Sequence, residues 1–157
     1  MQLFQRILDE YPDSLDARFA HELLGDGFYR AGRLDDAERE YRTVLETNPS
    51  LSATTGAAHL SLAEVLLDRQ DPRLADEVAT LLEASQPHLT FNTTIFRRYL
   101  LCARLAALIG DDDARRVAAS RALELVDAPP QLARHPTVGL ARPSSQTLHE
   151  LEQLARP

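Results

Sequence analysis

The chain has 157 residues, 44% hydrophobic and 26% charged, a balance that supports a folded domain with its own core and excludes wholesale disorder. Trp is absent and aromatics make up only 6%, while Ala and Leu dominate, which favours close-packed helices over a β-sandwich. The net charge of −7, set by 24 acids against 17 basic residues, excludes a general nucleic-acid binder, which needs a basic surface to neutralise phosphates.

All 17 basic residues are Arg, so lysine-based chemistry is impossible; the bias has the look of a GC-rich, bacterial-like composition. The charge is uneven. Residues 1–50 hold 6 Arg against 11 acids, residues 51–95 hold 2 against 6, and residues 96–126 reverse the sign with 6 Arg against 4 acids. Cys102 is the single cysteine and calls for no oxidising compartment. The opening MQLFQRILDEYPDS is amphipathic and acidic, unlike a signal peptide, and no stretch has the length of a membrane span. The expected location is cytoplasmic.

Taken in chain order, Pro12, Gly32, Pro49, Asp71-Pro72, Pro87, Gly110 and Pro129-Pro130 cut the sequence into segments of helical length. The predicted helices lie near 2–11, 15–31, 35–47, 53–69, 72–86, 92–109, 112–127 and 147–155, and no alternating run predicts a strand. Asp35 with Glu38 fits a capping box. Asp71 before Pro72 fits a cap beside the helical position where proline's missing N–H costs nothing. Asn92, and Asp111 or Asp112, stand ready to cap the helices that follow. Thr147 and Glu150 fit another capping box, ahead of Leu148, Leu151, Leu154 and Ala155 on one face.

Short loops between successive helices imply antiparallel hairpins, and the hairpins repeat. The first carries Leu24, Gly25, Phe28, Gly32, Ala37, Tyr41, Val44 and Pro49. The second carries Leu62, Ala63, Leu66, Gln70, Ala75, Ala79, Leu82 and Pro87 at the same internal spacings. Gly25, Ala37, Ala63 and Ala75 are the small residues expected where two helices approach closely. This pattern resembles the tetratricopeptide repeat, whose signature places L-G-x2-Y, A-x3-F and P in a unit of 34 residues. The first copy matches with Phe28 and Tyr41 as its aromatics. The second lacks both and follows after 38 residues, the extra four falling around Leu51 to Thr54. A third, degenerate copy has Ala103, Gly110, Ala119 and Ala122-Leu123-Glu124-Leu125, with Arg115 where a small residue belongs. Phe4, Ile7, Leu8 and Pro12 match the end of a repeat, so the chain is expected to open on a helix without its partner.

The resemblance implies an all-α, right-handed solenoid over residues 1–127, with a half repeat at 2–12 and repeats near 18–51, 56–89 and 96–127. Residues 128–157 then form a Pro-rich connector and a C-terminal helix expected to cap the solenoid, as terminal units must. A detachable partner motif is the alternative for that helix. In such repeats the first helix of each hairpin lines a concave surface. Register places Phe19, Glu22, Leu23, Asp26, Tyr29 and Arg30 there from the first copy. The second supplies Leu60, Ser61, Glu64, Leu67 and Asp68, and the third Arg97, Leu100, Leu101 and Arg104. Glu22, Asp26, Glu64 and Asp68 are acids at four-residue steps, suited to a basic or amphipathic peptide and equally compatible with a solvated face. Glu22 and Asp26 stand where some family members use Lys and Asn to clamp a terminal carboxylate, so that specificity is not expected.

Other constellations have plain structural readings. His21 and His59 recur at equivalent positions, as helix-contact residues would. Cys102 lies among Leu100, Leu101, Ala103 and Leu105 and reads as a small buried hydrophobe. Asp111-Asp112-Asp113 lacks the alternation, the Gly and the distal Glu of a calcium loop and suits a helix start. No phosphate loop, nucleophile elbow or HExxH is present. The expectation is a non-catalytic scaffold with no cofactor and no metal, binding a protein or peptide segment and neither nucleic acid nor a membrane interior. The other candidate role is self-assembly, in which Leu3, Phe4, Ile7 and Leu8 on the opening helix meet a second copy.

Overall fold

The computed structural model describes residues 2–12 and 14–156. The described residues form eight α-helices and no strand: α1 Gln2–Glu10, α2 Leu15–Arg30, α3 Leu34–Thr47, α4 Ala58–Asp68, α5 Ala75–Ala84, α6 Asn92–Ile109, α7 Asp112–Val126 and α8 Ser145–Leu154. The all-α expectation holds, and most helix limits fall within two residues of those predicted. The chain divides into two compact units, residues 1–69 and 70–157. The division falls between the two helices of the second predicted repeat.

In the first unit α2 packs against α1 and α3, and α3 packs against α4. Ser14 caps α2, its Oγ accepting from the Ala17 N–H at 3.1 Å. Leu24, Gly25 and Phe28 of α2 and Ala37, Tyr41 and Val44 of α3 are all buried. Gly32 closes α2 at φ +72°, a conformation glycine adopts without steric cost. Gly25 lies against the Tyr41 ring so closely that a Cβ there would stand 2.6 Å from its Cε1. The small residue of α2 and the aromatic of α3 thus meet across the hairpin.

Two local expectations for this unit are corrected. Asp35 does not cap α3: the helix starts at Leu34, with Arg33 at the cap position and no side-chain cap bond. Asp35 already lies in the first turn, and its carboxylate instead takes Arg69 Nη2 at 2.6 Å. Helix α4 begins at Ala58 rather than near residue 53, because residues 48–57 fold as compact turns of their own. Leu51 is buried with Val44 and Ala58. Buried Asn48 holds the turn by donating from Nδ2 to the Ser52 carbonyl at 2.7 Å. Leu51 and Ala53 both take positive φ, and non-glycine residues tolerate that only where surrounding contacts fix it.

The second unit opens with a 3-10 turn, Pro72–Leu74, capped by Asp71 as predicted. Its core is the α6–α7 hairpin, where Phe96, Leu100 and Ala103 meet Ala118, Ala119 and Ala122. Small side chains on α7 bring the two helices close. Gly110 closes α6 at φ +77°, and Asp111 caps α7 by accepting from the Ala114 N–H at 2.9 Å. In α5 the buried residues are Val78, Leu81 and Leu82, while Ala79, expected as a packing position of the second repeat, is exposed. Helix α8 packs back on α7 and α6, with Leu151 fully buried among the hairpin's core residues. It starts at Ser145 with Ser144 as its cap, accepting from the Thr147 N–H at 3.1 Å. The predicted Thr147–Glu150 box is therefore corrected: Thr147 already lies inside the helix.

Candidate interaction surface

Residues 15, 19 and 23 fall at successive four-residue steps along α2, which places them on one stripe of a helix. Leu15 is 60% exposed and Phe19 42% exposed, with Leu23 half-buried beyond them. Tyr11, just ahead of the helix, is exposed as well, and Arg30 is exposed at its far end. Large apolar side chains in such a row leave surface in water at a cost of about 25 cal/mol per Å².

The acids proposed for the same surface have other tasks. Glu22 is 1% exposed, and its two carboxylate oxygens accept from the Thr55 backbone N–H at 2.7 Å and the Thr55 hydroxyl at 2.6 Å. Burying a carboxylate is costly unless donors replace its water, and Thr55 supplies them. Glu22 therefore braces the turn ahead of α4 and offers no open charge, which corrects its assignment to a peptide-facing surface. Leu60 is corrected likewise, being fully buried.

Asp26 accepts from the Tyr41 hydroxyl at 2.6 Å, tying α2 to α3. Tyr29 donates to Asp68 at 2.7 Å, tying α2 to α4. Both acids are half-buried, as is Glu64. Glu22 thus holds the turn ahead of α4, and Asp26 and Asp68 hold helices together within the first unit. His21 does the same, with Nδ1 2.7 Å from Glu40 of α3.

The N-terminal residues nominated for self-association split in two groups. Leu3 is 64% exposed, whereas Phe4, Ile7 and Leu8 are half-buried on a helix that packs against α2. In the second unit, Arg97 and Arg104 are half-buried, and Arg104 Nε lies 3.5 Å from Glu150 of α8. Burial pushes the Cys102 thiol above its ordinary range, against a smaller opposing effect of Arg98, which suppresses the thiolate that a nucleophile requires. Asp112 and Asp113 pair with Arg115 and Arg116. Among the described residues no group of His, Cys, Asp and Glu is placed to hold a metal ion, and no helix is long and apolar enough to cross a membrane.

One set of contacts has no counterpart in the sequence reading. Asn92 does not cap α6; it is the first helical residue, and Phe91 holds the cap position without a side-chain bond. The free N–H groups at this helix start are met from the connector. Gln131 Oε1 accepts from the Asn92 N–H at 2.7 Å, while its Nε2 donates to the Thr90 carbonyl at 3.3 Å. The Gly139 carbonyl accepts from the Thr93 N–H at 2.8 Å. Gly139 has φ +77° and lies so close to the Phe91 ring that a Cβ would approach it to 2.6 Å. The glycine in a Pro-rich stretch was the available signal; which helix it serves was not readable.

Arg115, which departs from the pattern expected of a third repeat, donates from Nη1 to the carbonyl oxygens of Leu154 and Arg156. It thereby satisfies acceptors at the C-terminal end of α8 that the helix itself leaves open. No family model, no curated protein and no solved structure matches the chain.

Proposed function

We propose that this chain is a non-catalytic scaffold of the tetratricopeptide kind that binds a protein segment along α2. The observation that carries the reading is the exposure of Leu15 and Phe19 one turn apart on α2, the helix that in such repeats faces the ligand, with Leu23 half-buried on the same stripe. The buried signature of the first hairpin, with Gly25 seated on Tyr41, supports the repeat assignment. Because Glu22, Asp26 and Asp68 are engaged within the chain, the ligand is an amphipathic segment. Its apolar side chains would meet Phe19 and Leu15, and aromatic anchors commonly dominate such interfaces. The solitary Cys102 goes with a cytoplasmic location.

Selection from a random peptide display library tests this. Peptides enriched on the wild type should carry spaced apolar residues and lose binding to a Leu15→Glu/Phe19→Glu variant of unchanged helicity. Enrichment of peptides that bind both proteins equally would remove the α2 stripe from the account. A second reading, self-assembly, is favoured by exposed Leu3 and Tyr11 at the same end of the chain. Sedimentation showing a dimer that Leu3→Glu dissociates would support it; a monomer at every concentration would eliminate it.

A further inference from the structure

Residues 1–50 hold 11 acids against 6 Arg, so an arginine there has many carboxylates within the same stretch. Arg6 pairs with Glu10, Arg33 and Arg39 with Asp36, and Arg42 with Glu38. Arg18 of α2 is the contrast. It is half-buried and makes no hydrogen bond or ion pair among the described residues. A guanidinium that has lost part of its water without gaining a counter-charge is costly to hold.

The surroundings of Arg18 explain the missing partner. It lines a cavity of about 190 Å3 at the start of α2, walled otherwise by Pro12, Ser14, Ala17, His21 and Thr47. None of these side chains is acidic. The space is many times the ~10–15 Å3 that one water needs. Arg18 brings a planar fork of N–H donors, which matches the two oxygens of a carboxylate. Ser14 Oγ accepts from the Ala17 N–H at 3.1 Å, so its own proton remains for a ligand. His21 turns Nδ1 to Glu40 at 2.7 Å, which leaves Nε2 as the nitrogen open to an incoming group. Glu40 is also approached by Arg39 Nη2 at 3.6 Å and makes no pair with Arg18. Thr47 donates to the Thr43 carbonyl at 2.6 Å and serves only as wall. The positive end of the α2 dipole adds a charge of the same sign as Arg18.

The cavity adjoins the apolar stripe. Leu15 and Arg18 are three apart on one helix, surface neighbours at ~5–6 Å between Cβ atoms, and Arg18 directly precedes Phe19. A segment seated on Leu15 and Phe19 therefore runs along the cavity's rim.

We propose that this cavity receives one Asp or Glu side chain of the segment bound along α2, its carboxylate held by Arg18 and Ser14. The proposal rests on the α2 reading and specifies the partner: an amphipathic segment with an acidic residue beside its apolar pair. The net charge of −7 alone would favour a basic segment. The local lining selects the opposite sign.

Two experiments on the full chain test the proposal. In the first, acetate is titrated at constant ionic strength and followed by NMR at the Arg18 Nε–H and the amides of Ala17 to His21. Saturable shifts are expected, lost in Arg18→Gln and kept in Arg6→Gln, whose arginine is exposed and paired with Glu10. Arg18→Gln breaks no described bond of the fold, so lost shifts report the site itself. Shifts that rise without saturating, or that persist in Arg18→Gln, overturn the anion site.

In the second, a peptide library with both ends fused to carrier, and so without free terminal carboxylates, is selected on wild type, Arg18→Gln and Arg18→Glu. Wild type should enrich Asp or Glu beside two spaced apolar residues. Arg18→Gln should lose that preference, and Arg18→Glu should exchange it for Lys or Arg. An acid-bearing peptide should bind Arg18→Gln roughly tenfold more weakly than wild type. The same peptides on all three proteins overturn the cavity's part in recognising the segment. Failure to enrich any peptide on the wild type rejects the α2 reading and the segment as occupant, while the acetate titration still judges the cavity.

Discussion

Replacing Gly25 by Ala sets two effects of opposite sign against each other. The added Cβ would stand 2.6 Å from Tyr41 Cε1 and 2.9 Å from Cδ1 and Cζ, where carbon atoms prefer about 3.5–4.0 Å. The ring cannot swing aside cheaply. It is 1% exposed, and its hydroxyl is fixed to Asp26 at 2.6 Å. Overpacking of this sort costs about 1–3 kcal/mol, whereas Gly to Ala inside a helix gains about 1 kcal/mol. The net expectation is a destabilisation of roughly 1 kcal/mol.

In a Tyr41→Leu background the obstructing ring edge is gone, and only the propensity gain remains. There Gly25→Ala should stabilise by about 1 kcal/mol, giving a coupling near 2 kcal/mol across the double-mutant cycle. Urea unfolding followed by circular dichroism reads the four proteins, with hydrogen exchange of α2 and α3 amides isolating the first unit. Additive effects, or a Gly25→Ala protein more stable than the wild type, would refute the close helix contact.

Glu22→Ala should cost roughly 1–3 kcal/mol by stranding the Thr55 donors, and Thr55 amide exchange should accelerate well before that of α3; unchanged exchange would deny the brace. Gln131→Ala should cost roughly 0.5–2 kcal/mol, as loss of a helix cap does. Asn92→Ala should fall within about 0.5 kcal/mol of the wild type; urea midpoints that reverse this order would return the cap to Asn92. The Asp71 carboxylate is held down to about 2, first by the Arg73 side chain and then by the Arg73 backbone N–H. A depressed folded value means that its contribution is present above the ordinary carboxylate range and is lost as pH falls through about 2. Carboxyl NMR titration should find that midpoint, and Arg73→Gln should raise it; an unmoved midpoint would dismiss the pair.

What the sequence by itself determined is the part of the fold written in short-range chemistry. Helices end where Gly32, Gly110 and the prolines stop them, and Asp71 and Asp111 cap the residues immediately after them. The contact between Gly25 and Tyr41 was also readable, because in a short-looped antiparallel hairpin the spacing from the turn sets which residues face each other. Capping depends on backbone groups two or three residues away, so a local string contains all the information it needs.

Tertiary structure alone decided the fate of the acids and of the tail. Glu22, Asp26 and Asp68 look alike on a helical wheel, but their donors are Thr55, Tyr41 and Tyr29, at separations of 33, 15 and 39 residues. Whether a carboxylate faces water or a distant hydroxyl depends on which loop folds over it, and nothing in the spacing along its own helix records that. The same holds for α6. Asn92 has the right chemistry for a cap, yet Gln131, 39 residues away, takes the N–H. Closing that long loop costs little more than closing a short one, since the entropic penalty grows only with the logarithm of loop length. The connector therefore supplies its distant bonds at slight extra cost, and α8 is brought home to the α6–α7 face.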